Sequence, residues 1–149
     1  MKLGGDETGT IGLVRQPVAE FSVLIVEDNP HVADLYEYAI RRLAARELGG
    51  RTRMLVDHAP DGHRAMELLG RKRFHLVLAD LFMPVMDGFT LVARIRADPS
   101  LNDMRIAVIS GGGPESEQQA MALGVDAYLR KPVQQEGVIQ MLKRLLAIA

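Results

Sequence analysis

Apolar residues in this chain fall into short continuous runs separated by stretches with three-and-four spacing. Ser22-Val-Leu-Ile-Val-Glu27, His75-Leu-Val-Leu-Ala-Asp80 and Arg105-Ile-Ala-Val-Ile-Ser110 each hold four consecutive apolar residues between polar ends. Such runs predict strands covered on both faces. Arg53–Asp57 and Val125–Leu129 are weaker strands of the same kind. Between them the period changes. Asp28-Asn29-Pro30 reads as a loop entering a helix, with an acceptor side chain as N-cap and proline in the first turn. Val32, Leu35, Tyr36, Ala39, Ile40 and Leu43 form its apolar stripe, and Gly49-Gly50 marks its end. A second helix follows Asp61-Gly62 with Ala65, Met66, Leu68 and Leu69 inward. A third spans about Asp87–Ala97 and presents Phe89, Val92, Ala93 and Ile95. A short fourth helix is expected around Glu117–Leu123, after Gly111-Gly112-Gly113-Pro114. The last follows Pro132 and carries Val138, Ile139, Met141, Leu142, Leu145, Leu146 and Ile148.

Strands alternating with helices in this way predict an α/β domain: a doubly wound, five-stranded parallel sheet with helices on both faces and right-handed crossovers. The first twenty residues, with Gly4, Gly5, Gly9, Gly12 and Pro17, keep no period. They are read as a flexible N-terminal tail (1–20), leaving 21–149 as one folded domain.

Composition narrows the function classes. The 149 residues are 48% apolar, enough for one core, and carry 18 basic against 19 acidic side chains. A net charge of −1 gives no general attraction to nucleic acid or to an anionic membrane surface. The absence of cysteine excludes a disulfide framework, a thiolate metal site and a cysteine nucleophile. No apolar run approaches the roughly 20 residues of a membrane span, and the N-terminus has Lys2 but no apolar segment of a signal peptide. The expected setting is cytoplasmic.

In open α/β sheets, ligands bind beyond the carboxyl ends of the strands. Here those ends deliver Glu27-Asp28, Asp80, Ser110 and Lys131-Pro132, while Asp57 falls at an outer strand where no role is expected. Each group has a plainer reading: Asp28 as a helix cap, Ser110 as a turn residue, Lys131 as a solvated surface charge. Their joint placement favours a site. Two carboxylates about 4 Å apart repel by roughly 4 kcal/mol at an effective dielectric of 20, and one lysine cannot balance three of them. An oxygen-only acidic cluster suits a hard divalent cation, Mg²⁺ above all.

Glu27-Asp28, Asp80-Leu-Phe-Met-Pro-Val-Met-Asp-Gly88, Ser110-Gly111 and Tyr128-Leu-Arg-Lys-Pro132 resemble, in order and spacing, the receiver domain of two-component response regulators. The resemblance implies a flavodoxin-like sheet of order 2-1-3-4-5. It implies that Asp80 accepts a phosphoryl group from a sensor histidine kinase or histidine phosphotransfer protein. Glu27, Asp28, Asp80 and the backbone carbonyl of Phe82 would hold Mg²⁺. Lys131, the Ser110 hydroxyl and the Gly111 N–H would bind the phosphoryl oxygens. Pro132 would follow a cis peptide bond that turns the Lys131 side chain into the site, and Ser110 with Tyr128 would form the switch that remodels the face of helix four, strand five and helix five.

The same resemblance implies no turnover of external substrates, only self-phosphorylation and slow self-dephosphorylation, with an unknown downstream protein target and neither nucleic acid nor membrane as partner. A homodimer is left open. Two alternatives stand beside it: a degenerate receiver serving as an unphosphorylated binding scaffold, and a phosphohydrolase with an aspartyl nucleophile, which would commonly place a second acid where Phe82 stands. Phe82 itself is read as partly exposed packing that obstructs water. The Gly111-Gly112-Gly113 loop is expected to order on activation, and the stretch from Asp28 to Asp80 to be lengthened near Arg46–Arg53.

Overall fold

A computed structural model describes residues 19–48 and 52–147. Strand β1 (Ala19–Val26) leads into helix α1 (Pro30–Leu43), which continues as a π-helical turn over Ala44–Leu48. Then follow β2 (Thr52–Ala59), α2 (Gly62–Leu69), β3 (Leu76–Ala79), α3 (Gly88–Ala97), β4 (Arg105–Ser110), α4 (Pro114–Ala122), β5 (Ala127–Arg130) and α5 (Gln135–Leu145). The sheet is parallel throughout, in the order β2-β1-β3-β4-β5. Among the described residues no helix is long and apolar enough to cross a membrane.

The continuous apolar runs are explained by a core on each face of the sheet. Side chains alternate along a strand. Val23, Ile25, Leu76, Leu78, Ala107 and Ile109 therefore face α1 and α5. Leu24, Val26, Val77, Ala79, Ile106 and Val108 face α2, α3 and α4. The two layers of helices leave no solvated face to the three central strands over their four-residue apolar runs, so no polar residue interrupts those runs.

Helix starts follow their capping chemistry. Asn29 caps α1, its side chain accepting from the His31 and Val32 N–H groups with Pro30 next in line. Asp61 caps α2 through the Arg64 N–H, and Asp87 caps α3 through the Thr90 N–H.

Several boundaries differ from expectation. The tail expected over 1–20 lies outside the described residues up to 18, and Ala19 and Glu20 already belong to β1. The expected stop at Gly49-Gly50 and the stripe residue Ile148 also lie outside them. The length between Asp28 and Asp80 is taken up in part by the π-helical turn, which is tied to α5 by Arg46–Glu136 at 2.9 Å and Lys143–Glu47 at 3.2 Å. Helix α4 begins at Pro114, three residues before Glu117, because proline suits a first helical turn. In α3 the buried positions are Gly88, Leu91, Val92 and Ile95, while Ala93 faces solvent.

Candidate functional site

The sheet ladder carries the site residues one step past the strands. The Asp80 N–H donates to the Val26 carbonyl at 3.1 Å, the Glu27 N–H to Ala59 at 3.0 Å, and the Lys131 N–H to Ser110 at 2.9 Å. These bonds fix the backbone of all three residues against neighbouring strands. Glu27, Asp80 and Ser110 are buried, and Asp28 is exposed at the rim.

Asp80 is the centre. Its Oδ1 accepts from the Leu81 N–H at 2.7 Å and, more weakly, from the Phe82 N–H at 3.4 Å. Its Oδ2 accepts from Lys131 Nζ at 3.0 Å. Lys131 Nζ also lies 3.5 Å from Glu27 Oε1, while Glu27 Oε2 accepts from the Asn29 N–H at 3.1 Å. Glu27, Asp28 and Asp80 each offer a carboxylate oxygen, and these atoms all lie within 4.8 Å of one another. Three oxygen donors at that spacing fit a hard divalent cation such as Mg²⁺, which favours carboxylate and carbonyl ligands.

Electrostatics show the strain of assembling them. Burial pushes the Glu27 carboxyl above the usual range. The Asn29 N–H and the Lys131 charge oppose this, while Asp28 and Asp80 add to it. Lys131 is held above its ordinary value: burial pulls it down, but its hydrogen bond to Asp80 and the charges of Asp80 and Glu27 outweigh that. The ammonium is therefore firmly protonated beside the acidic cluster.

The remaining expected residues lie around this centre. The Lys131-Pro132 peptide is cis. Ser110 Oγ accepts from the Gly112 N–H at 3.3 Å, and the Tyr128 hydroxyl donates to the Gly112 carbonyl at 3.4 Å. The two expected switch residues thus touch the same loop residue. Gly112 has a packing reason to be glycine: a Cβ there would stand 2.6 Å from Ser116 Oγ and 3.0 Å from the Phe82 ring. Gly111 is exposed with open space around it. Asp57 stays apart, paired with Lys72 at 2.9 Å.

Two residues to which the sequence assigned no site role also shape the site. Gly88 lies so close to the Asp80 carbonyl and to Leu81 that no side chain fits, and its N–H donates to the Leu81 carbonyl at 2.8 Å. Tyr36, a stripe residue of α1, is buried, and its hydroxyl is pushed up to about 12, chiefly by burial and also by the charges of Glu27 and Asp80, against the pull of Lys131. With Lys131 it lines a pocket of about 500 Å³ between α1 and the start of α5.

A family model described as the response regulator receiver domain matches residues 23–143. An uncharacterized 14.6 kDa protein of Leptolyngbya boryana is 31% identical over 130 residues, covering 87% of this chain and 92% of that protein. The sensor histidine kinase RcsC of Salmonella typhimurium is 32% identical over 129 residues, which is 87% of this chain but 12% of the kinase. Among solved structures, the receiver domain of the sensor histidine kinase PA1611 from Pseudomonas aeruginosa superposes with a TM-score of 0.73 at 25% identity, covering 87% of this chain and 99% of that domain. That receiver is described with a magnesium ion coordinated in its active site cleft.

Proposed function

The chain belongs to the response regulator receiver family, and on that premise we propose that it is a phosphorylation switch with Asp80 as acceptor. The receiver is a module of two-component systems, related both to response regulators and to the receivers of sensor kinases. The observation that carries the proposal is the convergence of Lys131 Nζ at 3.0 Å on Asp80 Oδ2 with three carboxylate oxygens within 4.8 Å of each other.

An Asp80 oxygen attacks the phosphorus of a phosphohistidine on a partner kinase or phosphotransfer protein. The P–N bond breaks, the imidazole nitrogen keeps the electron pair, and a P–O bond forms, giving an acyl phosphate. Glu27, Asp28, Asp80 and the Phe82 carbonyl are the groups that would hold Mg²⁺, which when bound offsets the charge of the transferring group. Lys131 moves from pairing with the Asp80 and Glu27 carboxylates to pairing with a phosphoryl oxygen, and the Ser110 hydroxyl and Gly111 N–H supply further donors. Drawing the Ser110 hydroxyl toward the phosphoryl group breaks its bond from the Gly112 N–H. That frees the loop to which Tyr128 is bonded, and the α4, β5 and α5 face is remodelled for a downstream protein.

Phe82 stands where an aspartyl phosphohydrolase would place its second acid, so the chain acts on itself and does not turn over external substrates. A cytoplasmic setting accords with a kinase partner. Labelling by acetyl phosphate tests the proposal. It should require Mg²⁺ and disappear in Asp80→Asn, and multiple-turnover phosphatase activity should be absent. Labelling that persists in Asp80→Asn would overturn it.

A further inference from the structure

The hydroxyl of Tyr36 takes no part in the phosphoryl chemistry above. Tyr36 is only 6% exposed, and its hydroxyl has no hydrogen-bond partner among the described residues. Burying a hydroxyl unpaired is costly, and native folds seldom do it without a reason. Phenylalanine would fill the same space without that cost. The side chain does not end in solid core. With Lys131 it lines the pocket of about 500 Å³ between α1 and α5, a size that suits a small organic ligand.

The lining is amphipathic. Val32, Leu35 and Ala39 from α1, with Val133 and Val138, give it apolar walls. Hydrogen-bond donors gather beside them. The Tyr36 hydroxyl, pushed up to about 12, stays protonated at neutral pH and donates. The Lys131 ammonium carries three N–H groups, and its two acceptors are Asp80 Oδ2 and Glu27 Oε1. Gln134 and Gln135, which open α5, also line the pocket, and no side chain caps that helix start. Uncapped amides at a helix N-terminus attract negative charge. The acid of that first turn, Glu136, is drawn to Arg46 at 2.9 Å. A single negative charge fits these donors best, because the Glu27 and Asp80 carboxylates on the same ammonium repel any further one.

We propose that this pocket binds a small apolar carboxylic acid. Its carboxylate is received by the Tyr36 hydroxyl, Lys131 and the start of α5, and its hydrocarbon body lies against the valine, leucine and alanine walls. The site adjoins the Asp80 centre through Lys131, but occupancy requires no phosphoryl group. The unphosphorylated full chain therefore serves for the test, which is independent of the phosphoacceptor reading.

Three probes separate head from body: octanoate below its micellar range, octanol, and acetate, each titrated into isotope-labelled protein and followed by amide chemical shifts. Octanoate should saturate one site and move the amides of 32–39 and 133–138. Octanol lacks the charge and acetate the apolar body, so both should bind at least about ten-fold more weakly. Y36F should weaken octanoate about five-fold and leave octanol unchanged. Its thermal midpoint should be no lower than that of the unmodified chain, since the lost hydroxyl has no partner in the fold. V133F, which puts a ring into the pocket, should block octanoate. Octanol binding as tightly as octanoate, or undiminished octanoate affinity in Y36F or V133F, would overturn the inference. So would shifts that never saturate or that map elsewhere, or a marked fall in the Y36F midpoint, which would mean that the hydroxyl is satisfied within the fold.

Discussion

Lys131 and Asp80, 51 positions apart in sequence, meet at 3.0 Å between Nζ and Oδ2. The same ammonium lies 3.5 Å from Glu27 Oε1. It is thus the cation between two buried carboxylates, and the rest of the site is organised around that contact.

Lys131→Ala removes the cation and leaves Glu27 and Asp80 facing each other. Breaking a buried pair on one side is costly, but Lys131 is partly exposed, so a loss of about 1–2 kcal/mol is expected in metal-free buffer. Added Mg²⁺ should recover most of it. Urea unfolding with and without the metal measures both. Asp80 should still be labelled by acetyl phosphate to some extent, while the conformational response, followed by spectroscopy or partner binding, weakens.

Phe82→Asn should shorten the lifetime of the phosphorylated chain. The ring is half exposed and borders Gly112, two residues after the Ser110 hydroxyl. Replacing it with a smaller polar group opens a path for water and can orient it. A rise of about ten-fold in the hydrolysis rate corresponds to some 1.4 kcal/mol of barrier. The half-life of radiolabelled protein after donor removal reads it directly, and an unchanged half-life would remove this role from Phe82.

Gly88→Ala should damage stability and labelling together. The added methyl group collides with the backbone of Asp80 and Leu81, neither of which can give way without displacing the Asp80 carboxylate. Overpacking of this kind costs about 1–3 kcal/mol. The thermal midpoint and the acetyl phosphate labelling rate should both fall, whereas Gly111→Ala, with open space around it, should leave the midpoint nearly unchanged.

The tie between the π-helical turn and α5 predicts a pH dependence. Glu136 is lowered to about 2 by its hydrogen bond to Arg46, helped by Gln140. A carboxyl lowered on folding stabilises the native state above its unfolded value and loses that contribution as pH falls through the folded one. The window is therefore from about 4.5 down to about 2. Both side chains are exposed, so the effect is small and screened by salt. Urea midpoints across that range should fall less steeply for Glu136→Gln than for the unmodified chain.

What the sequence made legible was whatever local pattern determines. The four-residue apolar runs announced β1, β3 and β4 because both faces of those strands are covered, and the polar residues that end the runs announced Glu27, Asp80 and Ser110. Features settled by tertiary contact were not legible. Leu91 rather than Ala93 faces the core because α3 lies on the sheet through the row Gly88, Leu91, Val92 and Ile95. Pro114 looked like part of a turn, although proline also opens helices. Ala44–Leu48 carries no signal for a π-helical turn, whose ties run to α5. Tyr36 read as one more stripe residue, since its charged surroundings come from three other segments. Nothing in Met83-Pro-Val-Met86 announces a positive φ at Val85.

The ladder bonds from the amides of Glu27, Asp80 and Lys131 to adjoining strands bear on how such a chain can change over evolutionary time. Because each of these residues occupies the rung just beyond its strand, a single-residue insertion or deletion inside β1, β3 or β5 would turn its side chain to the opposite side and dismantle the constellation. Extra length between β1 and β2 enters at no such cost, as the turn after α1 illustrates. Lineages descended from this sequence should therefore vary in helix and loop length while strand lengths stay frozen.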